Sequence, residues 1–206
     1  MNIYIPDLLK EVLPKELLSQ CNAHHFEKGD HLFHQGKKPH FMFFVVAGEV
    51  VLTRNNHHGE PITLQRCHGG FVSEASLLTD VYHCDAIATH NGQAITLPIN
   101  SLRDALNDSQ FSLKWVQLLS KEVMRLRTQS ERLGLKDIRS KLIHLIETEG
   151  KQGVLTLQSD FKSMASELGV THEALYRTMA SLEKEGFLEK HSDSLKLLKN
   201  NKPSSA

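Results

Sequence analysis

Long hydrophobic stretches are missing from this sequence. The longest apolar run, Phe41 to Ala47, has seven residues, against roughly 20 needed to cross a bilayer. No membrane span and no membrane partner are expected. The start, Met1-Asn2-Ile3-Tyr4-Ile5-Pro6-Asp7, has neither the basic beginning nor the apolar centre of a secretory leader, so a cytoplasmic protein is expected. Net charge is missing too: 24 Lys and Arg balance 24 Asp and Glu in 206 residues. That excludes a strongly basic nucleic-acid coat or a polybasic membrane anchor, but not a local basic patch. Cysteine is scarce. Cys21, Cys67 and Cys84 are widely spaced and form no CxxC pair, which supports neither a zinc knuckle nor a disulfide framework.

What remains is ample for a core. Apolar residues make up 40% and charged residues 23%, the composition of a globular chain of one large or two small domains. Histidine is abundant: of 13, ten lie within the first 90 residues.

The texture changes along the chain. Residues 3–20 read as a short amphipathic helical segment interrupted at Pro14. From about 26 to 100, short strand-like runs alternate with glycine turns at Gly29, Gly36, Gly48, Gly59 and Gly69-Gly70. The runs are 31–34, 41–46, 50–53, 61–64, 86–89 and 93–97, a spacing that predicts an all-β roll or barrel. After Pro98 the period becomes helical. Val116, Leu119, Val123, Leu126, Ser130 and Leu133 recur at alternating steps of three and four, an a/d seam. Such a seam serves either packing on the chain's own β-domain or pairing with a second copy. Gly134 ends that helix, and Asp137 caps the next, which carries Ile138, Leu142, Leu145 and Ile146 on one face.

Ser159 or Asp160 then caps a helix running to Leu168, Gly169 makes a turn, and Thr171 caps a second helix running to about Glu185. This is a helix-turn-helix pattern, with small Ala165 where the helices cross. The second helix exposes Thr171, His172, Glu173, Tyr176, Arg177 and Ser181, all able to hydrogen-bond. Residues 186–197 read as a β-hairpin, which makes the motif winged. Glu173 and Arg177 are one turn apart and share a face. Arg can read guanine and Glu can accept from cytosine in the major groove.

In this order and at this length, the glycine-punctuated roll, heptad helix and winged helix-turn-helix resemble the CRP/FNR family of bacterial transcription regulators. The matching residues are Lys28-Gly29-Asp30, Gln35-Gly36, Val46-Ala47-Gly48-Glu49-Val50, and the Glu-x-x-x-Arg pattern in Thr171 to Arg177. The resemblance implies an α+β chain with three parts. Residues 1–110 are a β-roll (double-stranded β-helix or jelly roll) sensor domain, 111–136 a long dimerisation helix and hinge, and 137–206 a winged helix-turn-helix DNA-binding domain. It also implies a homodimer on double-stranded DNA, contact with RNA polymerase, and Glu173 and Arg177 as base readers on a palindromic TGA-type site. His172 and Tyr176 depart from the family pattern, so the half-site stays open at those positions.

The family's cyclic-nucleotide pocket corresponds here to Gly70–Leu78 and Cys84-Asp85-Ala86. Glu74 is retained for the ribose. Cys84 and Asp85 stand where the resemblance calls for the phosphate-binding Arg and hydroxyl. A carboxylate repels a phosphodiester and the charge-assisted pair is absent, so neither cyclic AMP nor cyclic GMP is expected. An iron–sulfur cluster is not expected either, because one chain with three cysteines cannot supply four. The histidines leave haem or a metal ion open, with Cys67, His68, His83 and Cys84 as candidate ligands. Adjacent residues on a strand point to opposite faces, so neither Cys67-His68 nor His83-Cys84 is expected to share one ion. His31 and His34 are likewise expected on opposite faces of a regular strand. His57-His58 reads as an exposed hairpin tip, and His24-His25 as preceding the roll. Surface histidines without a ligand, thiol redox sensing through Cys84 or Cys67, and an effector-independent regulator remain alternatives. A cupin-type metalloenzyme would need a His-x-His pair, which does not occur, so no enzyme is expected. A sensor or adaptor that has lost DNA contact is the remaining alternative.

Overall fold

Two long antiparallel strands carry the N-terminal half. The computed structural model describes residues 4–157 and 160–198; Ile3, where the first helical segment was expected to begin, and the alternative cap Ser159 lie outside them. Short helices α1 (Asp7–Val12) and α2 (Lys15–Leu18) each begin after a proline, Pro6 and Pro14. The strands β1 (Asn22–Phe26), β2 (His31–Phe33), β3 (Phe41–Asn55), β4 (Pro61–Cys67), β5 (Gly70–Phe71) and β6 (Asp85–Pro98) follow, with a 3-10 turn at Glu74–Ser76. The sheet order is β1-β6-β3-β4, with β2 on β6 and β5 on β3.

Sequence patterning divides β3 and β6 into four strands with a turn at Gly48, whereas each is continuous. β3 and β6 pair from Phe41↔Pro98 to Thr53↔Asp85, with register shifts between Val45 and Val50. Gly48 and Gly92 make that bend possible. A Cβ on Gly48, at φ +86°, would lie 2.6 Å from the Asn91 carbonyl oxygen, and one on Gly92 would lie 2.1 Å from that of Ala47. The glycines let two backbones touch at a bulge rather than turning the chain. β1 is also a full strand of the sheet, so His24 and His25 lie within it and not before it.

The uninterrupted apolar run at the start of β3 is explained by burial on both faces. Met42 and Phe44 join Leu9, Ile95, Leu97, Phe111 and Trp115 in one core. Phe43 and Val45 join Phe26, Phe33, Leu52, Cys67, Tyr82 and Cys84 in another.

Helix α3 (Ile99–Ala105) leads into α4 (Ser109–Gly134). The chain divides into two compact units, Met1–Leu119 and Ser120–Ala206, with the boundary inside α4. In the second unit come α5 (Ile138–Glu149), β7 (Val154–Thr156), α6 (Phe161–Glu167), α7 (His172–Lys184), β8 (Leu188–Lys190) and β9 (Ser194–Leu197). The three strands form an antiparallel sheet in the order β7-β9-β8. Its core joins Leu142, Leu145 and Ile146 of α5 to Met164, Leu168, Leu175, Met179 and Leu195.

Candidate nucleic-acid interface and sensor residues

The α6–α7 pair is fixed by short-range chemistry. The Asp160 carboxylate accepts from the Ser163 N–H at 2.7 Å and starts α6. Gly169 turns the chain at φ +66°, a conformation costly for a residue with a Cβ. Thr171 Oγ1 accepts from the Ala174 N–H at 3.2 Å and starts α7. Leu175, Met179 and Leu182 bury one face of α7. The opposite face leaves Thr171, His172, Glu173, Tyr176, Arg177 and Ser181 exposed.

These six are not equally available. Ser181 donates to Glu185, which pairs with Arg139 of α5, and that contact holds the Glu185 carboxyl below the usual carboxylate range. The His172 and Tyr176 rings are in contact, tilted 58° to each other with centroids 4.5 Å apart. Tyr176 also meets Phe161 edge-on at 5.5 Å. Lys190, from the β8–β9 hairpin, places its ammonium 4.5 Å from the Tyr176 ring centroid and 4.8 Å from that of Phe161. Sequence reading missed Phe161 and Lys190, because no local pattern brings the hairpin to this face. Glu173 and Arg177 make no ion pair to another side chain among the described residues. Charge is also divided unevenly. The neutral chain carries 15 Lys and Arg against 12 Asp and Glu after Leu119, and the reverse imbalance before it.

On α4, Phe111 and Trp115 are buried in the core of the first unit, with Leu118 and Leu119 packed against it. The rest of the predicted seam stays open: Val116 is 56% exposed, Val123 45%, Leu126 39% and Leu133 45%. At its end α4 buries Arg132 completely, with its guanidinium on Thr148 and Glu149 of α5 and on Glu167 of α6. No sequence signal separates Arg132 from the solvated charges around it.

In the first unit, the predicted effector residues Glu74, Cys84 and Asp85 come near one another. Glu74 is half-buried in its 3-10 turn. Cys84 is fully buried, and its thiol is pushed up to about 11, first by burial and then by the Asp85 and Glu74 carboxylates, while Arg54 acts in the opposite sense. Among the other candidate ligands, Cys67 is buried and His68 is half-buried with its Nε2 3.3 Å from Glu49. His83 is exposed, with its Nδ1 3.4 Å from the Ser76 hydroxyl. In each Cys–His neighbour pair the cysteine is buried and the histidine is more exposed, His68 just past the end of β4 and His83 just before β6. His57 and His58 are exposed in the β3–β4 loop.

Glu49, 1% exposed, gathers Arg66, His68, His90 and the Thr89 hydroxyl. Burial pushes its carboxyl up, but Thr89, Arg66 and His68 outweigh that and hold it below its ordinary value. A cleft of about 550 Å³ lies elsewhere in this unit, lined in part by Leu13, Leu17, Ala105, Phe111 and Lys114.

Residues 23–109 match the cyclic nucleotide-binding domain family, and solved structures match nearly the whole chain. FixK2 from Bradyrhizobium japonicum superposes with a TM-score of 0.65 at 18% identity, over 87% of this chain and 93% of that one. The fold is that of the CRP/FNR regulators. A CRP/FNR-family transcriptional regulator from Thermus thermophilus gives 0.56 at 22% identity, over 86% of this chain and 94% of its own. The c-di-GMP responsive global regulator CLP from Xanthomonas campestris gives 0.59 at 16% identity, over 89% and 96%. No curated protein matches the chain in sequence. As in a CRP/FNR fold, a β-sheet domain precedes the long helix, and no helix among the described residues is long and apolar enough to cross a membrane.

Proposed function

We propose that the chain is a homodimeric transcription regulator of the CRP/FNR type that inserts α7 into the major groove at each half of a palindromic TGA-type site. The observation that carries this reading is the exposed polar face of α7. There Glu173 and Arg177 stand one turn apart with no ion-pair partner among the described residues, on a unit with excess positive charge. Unspent hydrogen-bonding groups at the start of a rigidly capped helix are what base readout requires. In this reading α6, α7 and the β8–β9 hairpin form a winged helix-turn-helix, and Lys190 adds a phosphate contact beside Tyr176. Thr171 and His172, at the first turn of α7, complete the contact set.

The exposed apolar seam of α4 supports pairing with a second copy, because four large apolar side chains facing water gain by burial. A two-fold dimer then presents its two α7 helices about one DNA turn, roughly 34 Å, apart. A signal in the β-sheet domain would act by shifting the packing of the α4 pair, with the Gly134–Asp137 segment as the hinge. RNA polymerase is the expected downstream partner.

The effector reading is narrower than the fold allows. The Cys84 thiol and the Asp85 carboxylate, standing where a phosphate-binding Arg and hydroxyl would be, disfavour a phosphodiester even though Glu74 is retained. Burial and the neighbouring carboxylates push the Cys84 thiol up to about 11 and keep it protonated at neutral pH, which disfavours thiol sensing there.

The test is selection of bound sites from randomised duplexes with wild-type protein and with Arg177→Ala. The variant should lose about 1–3 kcal/mol per half-site and relax its choice at one guanine. An affinity loss spread equally over all sequences would reduce Arg177 to a phosphate contact and overturn the base-reading role.

A further inference from the structure

One group of three nitrogen and oxygen donors within ligating range occurs among the described residues. It is His31, His34 and Asp85, whose ligand atoms all lie within 4.8 Å of one another. A regular strand would hold the two histidines apart. Instead β2 loses register against β6 between His31 and Phe33, and the chain leaves the strand before His34. The imidazoles consequently stack, with centroids 4.3 Å apart and planes 21° from parallel.

Asp85 reaches the same spot from β6. Its neighbours Cys84 and Ala86 are fully buried, so alternation along the strand turns Asp85 outward. Its Oδ1 lies 3.4 Å from His34 Nδ1 and accepts the Gln35 N–H at 3.1 Å. That backbone donor orients the carboxylate from outside, as partners of metal-bound carboxylates do.

We propose that His31, His34 and Asp85 form a binding site for a borderline divalent transition-metal ion, of which zinc is the type. Two imidazoles and one carboxylate suit zinc, nickel, cobalt or copper. Magnesium and calcium call for more oxygen donors than this group offers. Zinc–nitrogen and zinc–oxygen bonds of about 2.0–2.2 Å put tetrahedral donors roughly 3.3–3.6 Å apart. The His34–Asp85 pair already has that separation. The third donor closes by rotation of a surface imidazole, since both histidines are exposed. Three protein donors leave a fourth position for water. The site ties β2 to the first residue of β6 and stands independently of the DNA-binding reading.

The experiment is competition for zinc between the full chain, stripped of metal, and a chromophoric chelator. Cobalt substitution serves as a second readout through its four-coordinate visible absorption. Wild-type protein should bind one equivalent. A His31→Ala/His34→Ala double variant should weaken that equivalent more than tenfold, and Asp85→Asn, which keeps an oxygen for the Gln35 N–H, should weaken it about tenfold or more. Both variants should retain the wild-type circular dichroism, because the altered side chains lie outside the core. The exposed-loop variant His57→Ala/His58→Ala should bind as wild type. Absence of a stoichiometric site would overturn the proposal. So would retention of the equivalent in the double variant, or its loss in the loop variant.

Discussion

Replacing Arg132 with Met removes a guanidinium that is 0% exposed and donates to Thr148 at 3.1 Å, Glu149 at 2.5 Å and Glu167 at 3.4 Å. Breaking a fully buried ion pair costs about 3–5 kcal/mol. Two features reduce that here. Glu149 and Glu167 are 43% and 27% exposed at their side chains, so water rehydrates the released carboxylates. Arg132 Nε is buried without an acceptor among the described residues, a cost that Met relieves. The net loss should be about 2 kcal/mol, or roughly 30-fold in the opening equilibrium of the C-terminal unit. The sole tryptophan, Trp115, is buried in the other unit and reports on that unit alone. Amide exchange at Leu142, Leu145 and Ile146 should therefore accelerate roughly 30-fold, while the urea midpoint read by Trp115 emission stays in place. Unchanged exchange in α5 would refute the reasoning and show that the network is worth no more than an apolar replacement.

Val123→Asp places a charge in the open seam of α4 and should convert a dimer into single chains in sedimentation; an unaltered mass would reject the seam. Glu49→Gln should cost about 2–3 kcal/mol at neutral pH, because Arg66 and two histidines converge on a buried carboxylate. The Glu49 carboxyl is held below its ordinary 4.5, so its contribution is present above that value and lost as pH falls through the lower, folded one. The Trp115 urea midpoint of the variant should accordingly fall less steeply with acid than that of the wild type, and parallel acid limbs would contradict this. Gly48→Ala should destabilise the β-sheet domain by more than about 1 kcal/mol, from its positive φ and the approach of Asn91; an unchanged thermal midpoint would show that the bulge yields. Glu173→Ala should broaden base choice at the cytosine it reads, and unchanged selectivity would remove Glu173 from the base contacts.

What was legible in the sequence was local. Asp137, Thr171 and Gly169 announce caps and a turn through side chains acting within three or four residues, and each does so in the structure. The polar face of α7 followed from helical period alone. Sequence alone makes Gly48 a chain reversal, because a bulge glycine and a turn glycine have the same signature; only the facing Gly92 distinguishes them. A regular strand puts His31 and His34 on opposite faces, and the register shift in β2 brings them together. Arg132, Phe161 and Lys190 depend on contacts between elements distant in sequence, which no spacing rule reports. In the Cys–His neighbour pairs each cysteine is buried in the core and its histidine is not, and both pairs sit at strand ends where no periodicity reports the direction of a side chain.

The most direct test of the central claim is sedimentation of the wild-type protein with a fluorescent palindromic TGA-containing duplex and with a scrambled one, at two salt concentrations. The account predicts a complex of two chains per duplex on the palindrome, much tighter than on the scrambled sequence and weakened as salt rises. One chain per duplex, or equal affinity for both sequences, would contradict it.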